Sequence, residues 1–276
     1  MRACWPAAVA AVVLLLGTVA SRAEVYTFGV VPQQAASKLA RLWTPILQRL
    51  GREVGHEIAF ATAPDIPTFE ARLAAGEYDI AYMNPYHYTV FHATTGYEAL
   101  ARARDKRIRG IVVVRADSPI TTISELDGAT VAFPAPAAFA ASVLPRAEFA
   151  ARGIGIVPRY VSSHDSVYRA VAKGLFPAGG GVVRTLDGVD PDVRGELRIL
   201  WTTAGYTPHA IATHPRLASA VRDRVRDALT GLDADDAGRA LVTALSIVGF
   251  DAASDSDWDD VRALGITELQ ALVASP

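Results

Sequence analysis

Cysteine is nearly absent from this 276-residue chain, methionine occurs twice, and neither sign of charge is in marked excess. The single Cys4 excludes a disulfide framework and a thiolate metal site within the chain. Lys and Arg total 27 against 29 Asp and Glu, which excludes nucleic acid as the main partner, because such partners select a basic surplus. No apolar run reaches the ~20 residues that a membrane span needs. The longest clean one, residues 7–16, is half that. Internal repeats, low-complexity tracts, a Gly-x-Ser-x-Gly elbow, a zinc-protease helix motif and a Lys-bearing phosphate loop are all missing. Ser163-His164-Asp165 has triad residue types, but neighbours in sequence cannot form a linear relay, so no enzyme is expected.

What is present is a globular composition, with 51% hydrophobic and 20% charged residues. The length suits one or two domains with a sizeable core. Arg2, the apolar run 7–16 and the small residues Ser21 and Ala23 form a secretory signal over residues 1–23. The exported chain then starts near Glu24 and holds no cysteine, and the compartment expected is the periplasm.

Strands are expected at 25–31, 57–62, 78–83, 98–102 and 110–115. Helices are expected at 39–50, closed by Gly51, at 68–76 capped by Thr68, and from Met83 through His92. The pattern restarts with strands at 130–133, 158–161, 197–201 and 209–213, helices at 138–152 and 164–173, and a helical C-terminal stretch from Arg216. Repeated βα units imply two α/β lobes, each a mostly parallel sheet flanked by helices. Ligands of such sheets bind where strands end and helices begin. Those loops are 32–36, 62–68, 83–88, 134–140 and 162–165.

Ordered short motifs carry a resemblance. They are Gly29-Val30-Val31-Pro32, Trp43-Thr44-Pro45, Ala63-Pro64-Asp65, Tyr78-Asp79-Ile80-Ala81-Tyr82 and Asp117-Ser118-Pro119. Leu126-Asp127-Gly128, Pro136 with Pro145, His164-Asp165 leading into Ala170-Val171-Ala172, and Thr207-Pro208-His209 follow. From about residue 24 to 250 the chain resembles the PhnD-like periplasmic phosphate-, phosphite- and phosphonate-binding proteins of ABC transporters. The resemblance implies a type II binding protein with two hinge segments. Lobe one would be 24–116 and 206–276, and lobe two 117–205. It also implies a small phosphorus oxyanion as ligand, an ABC permease (or a membrane sensor kinase) as partner, and a monomer without a cofactor.

The departures from the family pattern bear on the ligand. Where the family has Ser-Thr-Ser at a helix start, this chain has Ala138, Phe139 and Ala140. Hydrogen bonds to a charged group contribute about 1.5–3 kcal/mol each, so losing three without compensation costs roughly three to six orders of magnitude in affinity. A family Asp is replaced at Pro177, an acidic position that meets amines is His209, the family aromatic at Ile66 is absent, and a family Tyr is Met83. A tight 2-aminoethylphosphonate site is therefore not expected.

The candidate ligand residues are Gln33, Tyr82, Met83, Asn84, Tyr86, His87, Ala137, Ala138, Phe139, His164, Asp165, Tyr206 and His209. One reading is anion capture by helix-start amides, phenols and imidazoles, stronger when the histidines are cationic. The other is a metal ion or complex on Met83, His87, His164 and His209, a donor set that suits a late transition metal. Against both stands ordinary packing and capping, which is favoured for Tyr82, Tyr86 and Asp65. The basic run from Arg102 to Arg109 reads as a solvated hairpin, and Gly179-Gly180-Gly181 as a place where backbone passes close to its neighbours. Mass spectrometry of the exported protein should give a mature N-terminus near Glu24; a chain still carrying residues 1–23 would contradict the signal reading.

Overall fold

Two mixed sheets form the frame of the protein, and the chain crosses between them twice. The computed structural model describes Met1, residues 24–267 and Leu269; the expected signal segment, beyond Met1, lies outside the described residues. The first sheet has the order β11-β4-β10-β3-β1-β2, from Val25–Val30 (β1), Glu57–Ala61 (β2), Ile80–Met83 (β3), Glu98–Ala103 (β4), Ala210–Thr213 (β10) and Phe250–Ala252 (β11). The second has the order β7-β6-β8-β5-β9, from Gly110–Arg115 (β5), Thr130–Phe133 (β6), Val157–Tyr160 (β7), Ala178–Val182 (β8) and Leu197–Thr202 (β9).

The expected α/β lobes are present, but each sheet is parallel in only one half. β1 pairs parallel with β2 and β3, and β6 with β7 and β8. β10 is antiparallel to β3 and β4, and β5 to β8 and β9. The reason is geometric. Strands that end in ligand loops run toward the crevice between the sheets, whereas β5 and β10 begin at a crossing and must run away from it.

The crossings also move a boundary. Strand 110–115, expected in lobe one, pairs in the second sheet, so the chain changes sheet at about 104–109 and returns at about 203–209. An apolar strand does not reveal which sheet it will join. The two crossing segments are tied by reciprocal backbone bonds, Ile108 N–H to Tyr206 O at 2.8 Å and Tyr206 N–H to Ile108 O at 2.9 Å. Asp260 pins both, accepting from Arg107 at 2.8 Å and from the Thr207 amide at 2.9 Å.

Helix α1 (Ala36–Val54) buries Leu39, Trp43, Ile46, Leu47 and Leu50 against one face of the first sheet. It carries Pro45 internally and ends on Gly55 in the left-handed region (φ 81°), one turn beyond the expected stop at Gly51. Asp65 and Asn84 cap α2 (Ile66–Ala74) and α3 (Pro85–Thr95), accepting from the amides of Thr68 and His87, both at 2.8 Å. Two apolar clusters cover the faces of the second sheet. A third spans the lobes, joining Val31, Ile66 and Met83 to residues 137–141 and Val182.

The expected helix 138–152 is instead a π segment, Phe139–Val143, followed by α4 (Leu144–Ala151). The glycine run of β8 explains how that wide turn fits. A Cβ on Gly180 would overlap the carbonyl oxygen of Ala141, and one on Gly181 would overlap the Tyr168 hydroxyl. The π segment therefore rests directly on bare backbone, as expected from the glycine triplet. Gly180→Ala should destabilise the protein by about 1–3 kcal/mol in urea unfolding. Gly195→Ala, where an added Cβ meets no neighbour, should cost nothing. Equal effects at the two positions would contradict this packing.

Candidate functional site

The ends of β1, β3, β6 and β8 and the second crossing segment meet in the crevice between the sheets. Gln33 follows β1 and is buried. Its Oε1 accepts from the Arg184 guanidinium at 2.6 Å, and its Nε2 lies 2.9 Å from His209 Nε2. Arg184 belongs to the second lobe, on the short helix α6 (Val183–Asp187), and His209 ends the second crossing. The bonding order fixes the protons. Because the Gln33 oxygen accepts from Arg184, its amide hydrogens donate to His209, whose Nε2 must then be an unprotonated acceptor. The His209 proton resides on Nδ1, and the ring is neutral. It stacks on Tyr82 with centroids 4.9 Å apart and planes at 17°.

Burial and the Arg184 charge both hold His209 well below the usual histidine range. The same two causes depress His164 to about 3. His164 opens α5 (His164–Ala172), with Nδ1 3.0 Å from the Thr185 hydroxyl, itself 2.7 Å from the Tyr168 hydroxyl. The expectation that cationic histidines would draw an anion is thus corrected: in the folded form both rings are neutral, because they are desolvated beside a guanidinium. The charge belongs to Arg184, which sequence reading missed. Its only signal was a cation directly following a strand that ends in a ligand loop.

The other candidates divide. Asn84 donates from Nδ2 to Ala137 O at 3.2 Å, so that both residues join the lobes. Gln33, Asn84, Ala138, Phe139, His164 and His209 line one small cavity of about 10 Å³. Tyr206 packs edge-on against Phe139 at 5.7 Å in the crossing. Asp165 is half-buried with Oδ1 unpartnered, and burial raises its carboxyl despite Lys38 nearby. Lys38 in turn donates across the lobes to Gly188 O.

Met83, Tyr86 and His87 do not line that cavity. Met83 is fully buried in the apolar cluster, and the Tyr86 hydroxyl accepts from the Leu269 amide at 2.9 Å. His87 spends Nε2 on Glu70 at 2.9 Å. The metal reading required Met83 and His87 to converge with His164 and His209, and they are engaged elsewhere. Among the described residues no three His, Cys, Asp or Glu side chains gather as a metal site.

The basic run 102–109 is a correction as well. It is exposed at Asp105, Lys106, Arg107 and Arg109, as expected, but it forms no hairpin: it is the end of β4 and the first crossing. Arg102, Arg104 and Arg107 pair with carboxylates. Lys106 and Arg109 bond only to the carbonyls of Ser246 and Thr203, both at 3.1 Å. They face a crevice of about 290 Å³ on the far side of Tyr82 and His209, which Arg184 also lines.

Comparison with known proteins decides the family. A sequence profile of periplasmic substrate-binding proteins of phosphonate ABC transporters matches residues 28–258, over four fifths of the chain. The chain belongs to that family. It is 22% identical over 284 residues to the phosphate-import protein PhnD of Mycolicibacterium smegmatis, covering 87% of this chain and 84% of the relative. The fold is shared with the binding protein of a Pseudomonas aeruginosa ABC phosphonate transporter (TM-score 0.82, 16% identity, 92% and 90% of the two chains). It is shared too with PhnD1 of Prochlorococcus marinus, solved with methylphosphonate (TM-score 0.79, 16% identity, 87% and 97%). The protein thus has the type II periplasmic binding protein fold and belongs with the periplasmic substrate-binding proteins of ABC phosphonate transporters.

The depressed histidines make a pH prediction. The unfolded chain takes up protons near pH 6.5 that the folded form refuses, so the contribution of both neutral rings to stability is lost as pH falls below 6.5, for His164 down to about 3. His164 costs about 1.4 kcal/mol per pH unit within its window. Urea unfolding between pH 7 and 4.5 should show a shallower loss for His164→Asn than for the unmutated protein. Equal slopes would mean that His164 is protonated in the folded form.

Proposed function

We propose that the two lobes, meeting at crossings near 104–109 and 203–209, close on a small phosphorus oxyanion held chiefly by Arg184. The observation that carries this reading is the charge inventory of the crevice. Arg184 makes no ion pair among the described residues and is bonded only to the neutral Gln33 amide. A guanidinium in that state offers several donors to an anion, in a fork that suits phosphate geometry. His209 presents an Nδ1–H, and the start of the Phe139–Val143 segment supplies backbone amides in place of the hydroxyls that the family pattern would have.

The space lined by Gln33, Asn84 and His164 has room for about one water. Entry of a ligand therefore requires the lobes to part and the bonds Arg184–Gln33, Asn84–Ala137 and Lys38–Gly188 to break. A ligand that replaces those bonds with its own contacts to both lobes biases the hinge toward closure. The closed monomer would then present one joint surface of the two lobes to the permease. A membrane sensor kinase would use the same closure, and an adjacent permease gene and ATPase gene separate the two outcomes. The metal reading lacks support, since its four ligands are not gathered.

Isothermal titration with phosphate, phosphite and methylphosphonate tests the proposal. At least one should bind in the presence of a chelator, and Arg184→Gln should weaken it about 10–100-fold, the loss of one charged hydrogen-bonding group. Stabilisation by copper or zinc that His209→Ala abolishes, with no response to any of the three anions, would overturn it.

A further inference from the structure

The crevice of about 290 Å³ lies beside the small space rather than within it. The two share Ile108, Val182 and His209, and Arg184 stands at their junction. One guanidinium hydrogen is spent on Gln33, which lines the small space, while the group itself lines the crevice. The volume approaches the lower end of the range found for organic ligands and is far more than a bare oxyanion fills. Its walls come from both lobes: Val183 and Arg184 from the second, Ile247 and Phe250 from the first, with the crossing between them.

The chemistry of those walls is divided in the same way. Val183, 42% exposed, and the half-buried Ile247 present apolar surface, and the buried Leu245 and Phe250 form the core behind it. Lys106 and Arg109 add two positive charges with no carboxylate partner among the described residues. The single acid on the wall, Asp187, is occupied by Arg194 at 3.4 Å. Apolar surface backed by unpaired cations selects an anion that carries an organic body. It disfavours both a neutral hydrophobe and a fully hydrated inorganic ion.

We propose that the crevice is a subsite for a ring-sized organic body attached to the phosphorus anion, with the head at Arg184 and the body between Val183 and Ile247. This deepens the oxyanion reading and rests on it. It also supplies what the loss of hydroxyls at Ala138, Phe139 and Ala140 removed. Affinity moves from hydrogen bonds at the head to apolar burial of the body, and contact with both lobes makes the body itself a closing element.

Calorimetric titration of the exported protein with methylphosphonate, phenylphosphonate and benzoate is the test, repeated with Val183→Trp to fill the crevice and Val183→Glu to repel an anion there. Thermal unfolding of each variant confirms that it is folded. Phenylphosphonate should bind at least tenfold more tightly than methylphosphonate, and either substitution should erase that gap. Equal binding of the two phosphonates, or a gap that survives both substitutions, overturns the subsite and leaves the oxyanion reading standing. Binding of benzoate but of neither phosphonate, or absence of any binding, overturns the subsite; the oxyanion reading falls only if phosphate and phosphite fail to bind as well.

Discussion

One guanidinium organises the crevice. Arg184 reaches from the second lobe to the Gln33 oxygen of the first, and that bond orients the Gln33 amide, which in turn sets the protonation of His209. Burial first, and the same charge beside it, keep His164 and His209 neutral. A half-buried cation whose only direct partner is a neutral amide retains much of its attraction for an anion, because no carboxylate has yet compensated it. The two imidazoles contribute shape and single hydrogen bonds, and the guanidinium contributes the charge.

A second constraint lies behind the site, in the backbone. The π segment Phe139–Val143 approaches β5 and β8 so closely that side chains are excluded at Gly110 and Gly180. This brings the amide-rich start of the segment to the crevice while Phe139 packs against Tyr206 of the crossing. An alanine-rich loop is consistent with that arrangement. Where carbonyls rest on bare glycine backbone, small side chains keep the turn close to the sheet.

The hinge and the site are parts of one construction. The reciprocal bonds between Ile108 and Tyr206 hold the two crossings together, and Asp260 anchors Arg107 and Thr207 on either side of them. Lys106 and Arg109 lie on the same segment yet are left without acids. Charge pairing along 102–109 thus alternates between fastening the crossing to lobe one and leaving cations at the crevice. That division cannot be read from the run of basic residues itself.

Much of this protein was legible in its residues. Apolar runs ending in Pro-, Asn- and His-bearing loops located most strands, though not Ala178–Val182 or Phe250–Ala252, and the glycine triplet announced a close backbone approach; the helix starts were found, but their caps are Asp65 rather than the expected Thr68, and Asn84. These are local properties, set by side-chain periodicity and by the few residues that tolerate special backbone geometry. The ordered motifs placed the chain among exported binding proteins and pointed to Gln33, Asn84, His164 and His209. Tertiary structure decided the rest. It placed strand 110–115 in the second sheet, turned Met83 and His87 into core, made the histidines neutral and put Arg184 at the centre. Each of those outcomes depends on which distant groups share a desolvated space, and neither burial nor the position of a charge from another lobe is encoded in the spacing of neighbours along the chain.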